Sequence, residues 1–263
     1  MTQALLWAAG GTGLTALLTA LGAATVFFFK KAASPHLHRL LLGFAAGVMI
    51  AASVWSLLIP AIDQAGEMGM IGWLPAAGGF LLGIGFLTAM DALLPHLTPE
   101  SFHLKAGPDA RHRSALLVLA VTLHNIPEGM AVGISFALAS YSGDPAAFTA
   151  ALALALGIGI QNFPEGAAIS LPLRQEGMGR GRSFVMGALS GLVEPVFGIL
   201  TVLIAGSIQP LMPWLLSFAA GAMLYVVVEE LIPGAQLEEM SHLGTWGVMA
   251  GFLIMMILDV ALG

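Results

Sequence analysis

The sequence reads as an all-α membrane protein of eight transmembrane helices, and three observations predict it. Of its 263 residues, 58% are hydrophobic and 9% are charged, whereas a soluble domain carries about 25% charged residues. So few charges cannot cover a water-facing surface, and lipid must be the solvent for most of the chain. Apolar runs bounded by polar residues fall at roughly 4–29, 39–62, 72–94, 114–138, 147–172, 183–207, 211–232 and 244–262, each near the ~20 residues that a bilayer requires. Finally, all nine Lys and Arg lie on one side of that eight-helix scheme.

The first run is apolar from its start and is followed by Lys30 and Lys31. It reads as a membrane helix, not as a cleaved signal peptide. Lys30, Lys31 and Arg39 lie in the first connection, Lys105, Arg111 and Arg113 in the third, and Arg174, Arg180 and Arg182 in the fifth. The second, fourth and sixth connections carry no Lys or Arg. By the positive-inside rule the odd connections are cytoplasmic and both termini are outside. One helix more or fewer would scatter these charges.

Helices 2 and 7 share a pattern: Phe44-Ala-Ala-Gly-Val-Met49 then Leu58-Ile-Pro60, and Phe218-Ala-Ala-Gly-Ala-Met223 then Leu231-Ile-Pro233. Helices 3 and 8 share Gly79-Phe-Leu81 with Asp91, and Gly251-Phe-Leu253 with Asp259. Each pair crosses the membrane in opposite senses. That is the mark of inverted-topology repeats, with helices 4 and 5 between them, where transporters place their sites.

Helix 4 carries His124-Asn125-Ile126-Pro127-Glu128-Gly129, and helix 5 carries Gln161-Asn162-Phe163-Pro164-Glu165-Gly166. One motif thus stands on two consecutive antiparallel helices, near mid-span in both. His124 and Glu128 are four apart and share a helix face, as do Gln161 and Glu165. Two such faces offer four N/O donors to one ion. Pro127 and Pro164 lack an N–H, which leaves the carbonyls of Leu123 and Ile160 without their helical partners. Such backbone is tolerated at membrane depth where it faces a polar cavity. Gly129 and Gly166 permit close helix packing.

A mid-bilayer carboxylate costs ~2.5–3.5 kcal/mol on the insertion scale. Helix 6 adds a third, Glu194, before Pro195, and no Lys or Arg lies within the predicted spans, Arg39 standing at the boundary of the second, to balance them. The missing positive charge is protons or a metal cation. With no cysteine in the chain, disulfides and thiolate sites are excluded, and His among carboxylates favours a borderline metal such as Zn2+ or Fe2+ over Mg2+ or Ca2+. Met49, Ser53 and Ser56 share one face of helix 2, where Met49 offers either a thioether or plain packing. Asp91 and His96 at the inner end of helix 3, with Glu229 and Glu230 at that of helix 7, are either an exit relay or solvated helix ends. Residues 95–113 form a short cytoplasmic loop, in which His103 and His112 are solvated. Asp259 receives no role. No basic patch points to nucleic acid.

These motifs resemble those of the ZIP metal transporters, particularly the prokaryotic GufA-like group, and the resemblance spans nearly the whole chain. It takes in Phe44 to Met49, Met90-Asp-Ala-Leu-Leu-Pro-His96, Gly191-Leu-Val-Glu-Pro195 and Leu258-Asp259. The resemblance implies a 3+2+3 arrangement of helices and uptake of Zn2+ or similar divalent ions into the cytoplasm across a bacterial inner membrane. Cd2+, Fe2+, Mn2+ and Co2+ are further candidates. The metal is then transported substrate; no catalytic cofactor is expected, and the protein is not an enzyme. It implies a metal site of Met49, His124, Glu128, Gln161, Glu165 and Glu194, with an adjacent second site using Asn125, Glu128, Asn162, Glu165 and Glu194. Where this chain has Asn162, close relatives often have Asp, so the second site should be weaker. The exit route would use Asp91, His96 and Glu230, with Glu229 where the family often has His. A homodimer and an elevator-like movement of one helix bundle are also implied.

Two other readings compete. A proton- or cation-coupled carrier of an organic solute would share the repeats but not need so dense a donor motif. An intramembrane metalloprotease needs His-Glu-X-X-His on a helix, which is absent.

Overall fold

The computed structural model describes residues 2–28, 35–97, 108–175, 177–207, 209–235 and 242–262, and among them the chain is helical with no strand. The first helix, α1, is Thr2–Ala23, closed by a 3-10 turn at Ala24–Phe27. Next, α2 runs through Pro35–Ala52, a π-helical stretch at Ser53–Leu58, and Ile59–Glu67. Then come α3 (Trp73–Leu97), α4 (Pro108–Ser142) and α5 (Pro145–Gln175). The sixth, α6, is Arg180–Gly191 continued by Val193–Ser207. The seventh, α7, is Met212–Val226, a π-helical stretch at Val227–Leu231, and Ile232–Ala235. The last, α8, is Leu243–Leu262.

Among the described residues, seven helical stretches are long and apolar enough to cross a membrane. The remaining helix, α4, has 35 residues, and several of its side chains lie outside the described set. Exposed Trp73 and Trp246 stand near the starts of α3 and α8, which begin at opposite ends of the bundle. Amphipathic rings favour both membrane interfaces in this way.

The helices begin and end within a few residues of the apolar runs, with two informative departures. The loop expected at 95–113 is shorter, because α3 continues to Leu97 and α4 starts at Pro108. Proline suits a first helical position, where its missing N–H has no partner to lose; residues 98–107 lie outside the described residues. Likewise α2 starts at Pro35, which draws Arg39 out of the first connection into the packed helix, only 5% exposed.

Packing divides the helices into two groups of four. One is α1, α4, α5 and α6; the other is α2, α3, α7 and α8, and they meet where α4 runs beside α7 and α5 beside α2 and α8. Glycine makes the second group close. Gly247 and Gly251 of α8 sit against the carbonyls of Leu40 and Phe44 in α2, with no room for a Cβ. Gly79 and Gly83 of α3 sit in the same way against the carbonyls of Trp214 and Phe218 in α7. Gly47 and Gly221 answer against the carbonyls of Val248 and Phe80. The contacts of α8 on α2 are thus repeated by α3 on α7. They set Gly83 beside Gly251, and Asp91 beside Asp259, as equivalents. The textual match of Gly79-Phe80-Leu81 with Gly251-Phe252-Leu253 is therefore off by one helical turn, because glycines spaced by four let such motifs slide.

The two π-helical stretches are also equivalent. Each precedes a proline, Pro60 or Pro233, whose ring crowds the carbonyl four residues back. The helix opens to the wider ladder there: the Ile59 N–H bonds the Val54 carbonyl, and the Ile232 N–H bonds the Val227 carbonyl.

Candidate metal-binding site

The doubled motif lies inside the first group and faces the second. On α4, Asn125 and Glu128 are fully or almost fully buried; so are Gln161 and Asn162 on α5 and Glu194 on α6. Glu165 is half-buried. Met49 approaches from α2, 2% exposed. His124 is helical within α4, but its side chain lies outside the described residues, as do those of Asp91 and His96.

Hydrogen bonds pair these groups across helices. Gln161 Nε2 donates to Glu128 Oε1 at 2.5 Å, and Asn162 Nδ2 donates to Glu194 Oε1 at 2.9 Å. Asn125 Nδ2 donates to the Ser190 carbonyl on α6 at 2.9 Å. Each amide spends its N–H on a fixed acceptor, so its oxygen faces the remaining space. As a result Asn125 Oδ1, Glu128 Oε2, Gln161 Oε1, Asn162 Oδ1 and Glu194 Oε2 are all buried without a partner. An unmatched buried polar group costs about 1–3 kcal/mol. Five acceptors in this state leave this cluster short of donors or positive charge.

The carboxylates see one another: Glu128 lies in the field of both Glu165 and Glu194. Among the described residues no three of His, Asp and Glu close around a single point. The remaining donors on this face are the amide oxygens and the Met49 thioether; the His124 side chain lies outside the described residues.

The motif glycines have a direct physical reason. A Cβ on Gly129 would collide with the Glu194 backbone, and one on Gly166 with the Thr19 carbonyl. Thus Gly129 brings α4 against α6 at the level of Glu194, and Gly166 brings α5 against α1.

A cavity of about 260 Å³ leads away from the site. Met49, Glu128, Pro164 and Glu165 line it at one end and Glu230 at the other. It runs between the two helix groups, toward the end where α2 and α4 begin and α5 ends. Of the expected exit pair on α7, Glu230 lines this cavity, whereas Glu229 is exposed outside it.

Sequence reasoning missed α1. Thr12, Thr15 and Thr19 are fully buried on one face of that helix, and the Thr19 hydroxyl reaches Glu194. Three hydroxyls at helical spacing in an apolar run mark a polar face, but not what that face meets. It also left Asp259 without a role; its carboxylate accepts a hydrogen bond from Ser56 at 2.5 Å.

Residues 105–259 match the family model described as ZIP Zinc transporter. The chain is 40% identical to zinc transporter ZIPB of Bordetella bronchiseptica, across 97% of this chain and 80% of that one. It is 38% identical to zinc transporter GufA of Myxococcus xanthus, across 96% of this chain and all of that one. Human zinc transporter ZIP11 is 38% identical, with 96% of each chain covered.

Proposed function

The chain belongs to the ZIP family of zinc transporters, and from that premise we propose that it carries Zn2+ into the cytoplasm through a site formed by Met49, His124, Asn125, Glu128, Gln161, Asn162, Glu165 and Glu194. It is a multi-pass membrane protein with a metal ion as its transported substrate. The observation that carries the site is the set of five buried oxygens left without partners.

A hydrated ion reaching this point exchanges water for carboxylate, amide and imidazole donors. The donor set suits Zn2+ and tolerates Cd2+, Fe2+, Mn2+ and Co2+ to differing degrees. The cavity between Glu128 and Glu230 supports release toward the side of the cationic connections, which the positive-inside rule makes cytoplasmic. Asp91 and His96 extend that route. Both termini then lie outside, in a bacterial inner membrane. The repeated glycine contacts support an inverted repeat flanking α4 and α5. Met49 comes from one helix group and the other donors from the second, which supports alternating access by relative movement of the two groups. A homodimer completes this reading.

The test is Zn2+ uptake into proteoliposomes. Glu128→Ala and His124→Ala should each abolish uptake in protein that remains monodisperse. Wild-type rates in both variants would overturn the site.

A further inference from the structure

Glu194 is held from a direction the metal motif does not explain. Thr19 Oγ1 on α1 lies 3.4 Å from Glu194 Oε1 and 3.2 Å from the Thr15 carbonyl. The Thr15 hydroxyl faces the same carboxylate. Thr19 also touches both neighbouring site helices. A Cβ on Gly191, one turn before Glu194, would strike the Thr19 side chain. A Cβ on Gly166, next to Glu165, would strike the Thr19 carbonyl. The side chain therefore sits in a notch cut by Gly191, with its hydroxyl confined between the Thr15 carbonyl and the carboxylate.

We propose that Thr19 is a positioning residue for transport: its hydroxyl, with the Asn162 amide, fixes Glu194 Oε1 so that Oε2 is presented to the cation. The α1 helix is then the fourth wall of the site beside α4, α5 and α6. Two facts carry this. Both Oε1 donors come from outside the α4–α6 contact, and Oε2 is the oxygen left buried without a partner. A residue that merely filled space at the notch would need a β-branch but no hydroxyl. Thr19 supplies both, and the two are separable.

The inference rests on the reading of Glu194 as part of the cation site. The experiment compares Zn2+ concentration dependence of uptake in proteoliposomes for wild type, Thr19→Val, Thr19→Ser and Glu194→Gln. Valine keeps the shape and removes the hydroxyl; serine keeps the hydroxyl and removes the methyl. Thr19→Val should raise KM for Zn2+ about threefold to tenfold with maximal rate within about twofold. A charge-assisted bond is strong, but this hydroxyl is shared with a carbonyl. Thr19→Ser should return KM to within about twofold of wild type. Wild-type KM in Thr19→Val overturns the proposal, as does a Thr19→Ser variant impaired as much as Thr19→Val, which would mark a packing role. If Thr19→Val does not fold, Thr19→Ala against Thr19→Ser isolates the hydroxyl without adding bulk, and equal KM in that pair overturns the proposal. Wild-type uptake in Glu194→Gln sinks the site reading itself. Loss of uptake in Glu194→Gln with wild-type kinetics in Thr19→Val sinks only the role of Thr19.

Discussion

The Asn162 amide donates to Glu194 Oε1 across 2.9 Å, so a neutral side chain of α5 occupies one face of the α6 carboxylate. An amide there satisfies Glu194 without a second cation. Asn162→Asp would replace that donor with a charged acceptor and set two carboxylates against each other, a state that only protons or a further cation relieves. The expected outcome is an increase in bound Zn2+ per protein, read by metal analysis after equilibrium dialysis, with a fall in thermal stability when chelator is present. Unchanged stoichiometry would show that Asn162 does not limit the number of ions held.

Gly129 sets how closely α4 approaches Glu194. Its missing Cβ is filled by the Glu194 backbone, and backbone cannot rotate away as a side chain would. Gly129→Ala should destabilise the protein by about 1–3 kcal/mol, the usual cost of overpacking, and should lower Zn2+ uptake by displacing Glu194. Gly85→Ala in α3, where a Cβ meets nothing within 4 Å, is the control and should be near neutral. Thermal unfolding of the two purified variants checks the contrast; equal stability would mean that α4 and α6 can separate at no cost.

Much of this fold was legible because lipid imposes a simple rule: a spanning helix must be long and apolar, and cations must stay at one end. Seven helical stretches among the described residues follow the first part of it. The candidate site suggested itself for a related reason, since a carboxylate at mid-membrane without a counter-charge calls for protons or a cation. What the sequence hid was partnership. Nothing in the spacing of Thr12, Thr15 and Thr19 says that they face α6, because a hydroxyl that bonds back to its own helix carbonyl satisfies itself anywhere in a membrane. The division of Glu229 from Glu230 was hidden too. Adjacent residues on a helix point in different directions, and only the packing of α7 decides which one enters the cavity. The one-turn slip between α3 and α8 has the same origin: glycine repeats fix which face packs, not which turn.

Glu230 lines the cavity that leaves the site, and Glu229 does not. If the ion departs by that route, Glu230→Gln removes a carboxylate from the path while leaving the binding donors intact. Maximal uptake rate should fall several-fold with little change in KM, because the loss affects release and not capture. Glu229→Gln should behave as wild type. Concentration-dependent uptake in proteoliposomes measures both, and equal effects of the two substitutions would contradict an exit past Glu230.

Met49 comes from the α2 group and lines the same cavity as Glu128 and Glu165, and its contribution divides cleanly between packing and coordination. A thioether is a soft donor, so it favours Cd2+ over the harder Mn2+, with Zn2+ between them. Leucine has nearly the same volume and no sulfur, and such a swap in a packed interior usually costs under about 1.5 kcal/mol. Met49→Leu should therefore leave the fold intact. If sulfur coordinates the ion, Cd2+ uptake should fall several-fold relative to Mn2+ in a competition assay, with Zn2+ reduced by an intermediate amount. A uniform change across the three metals would assign Met49 to packing alone, and the site would then be built entirely from the helix group that contains α4, α5 and α6.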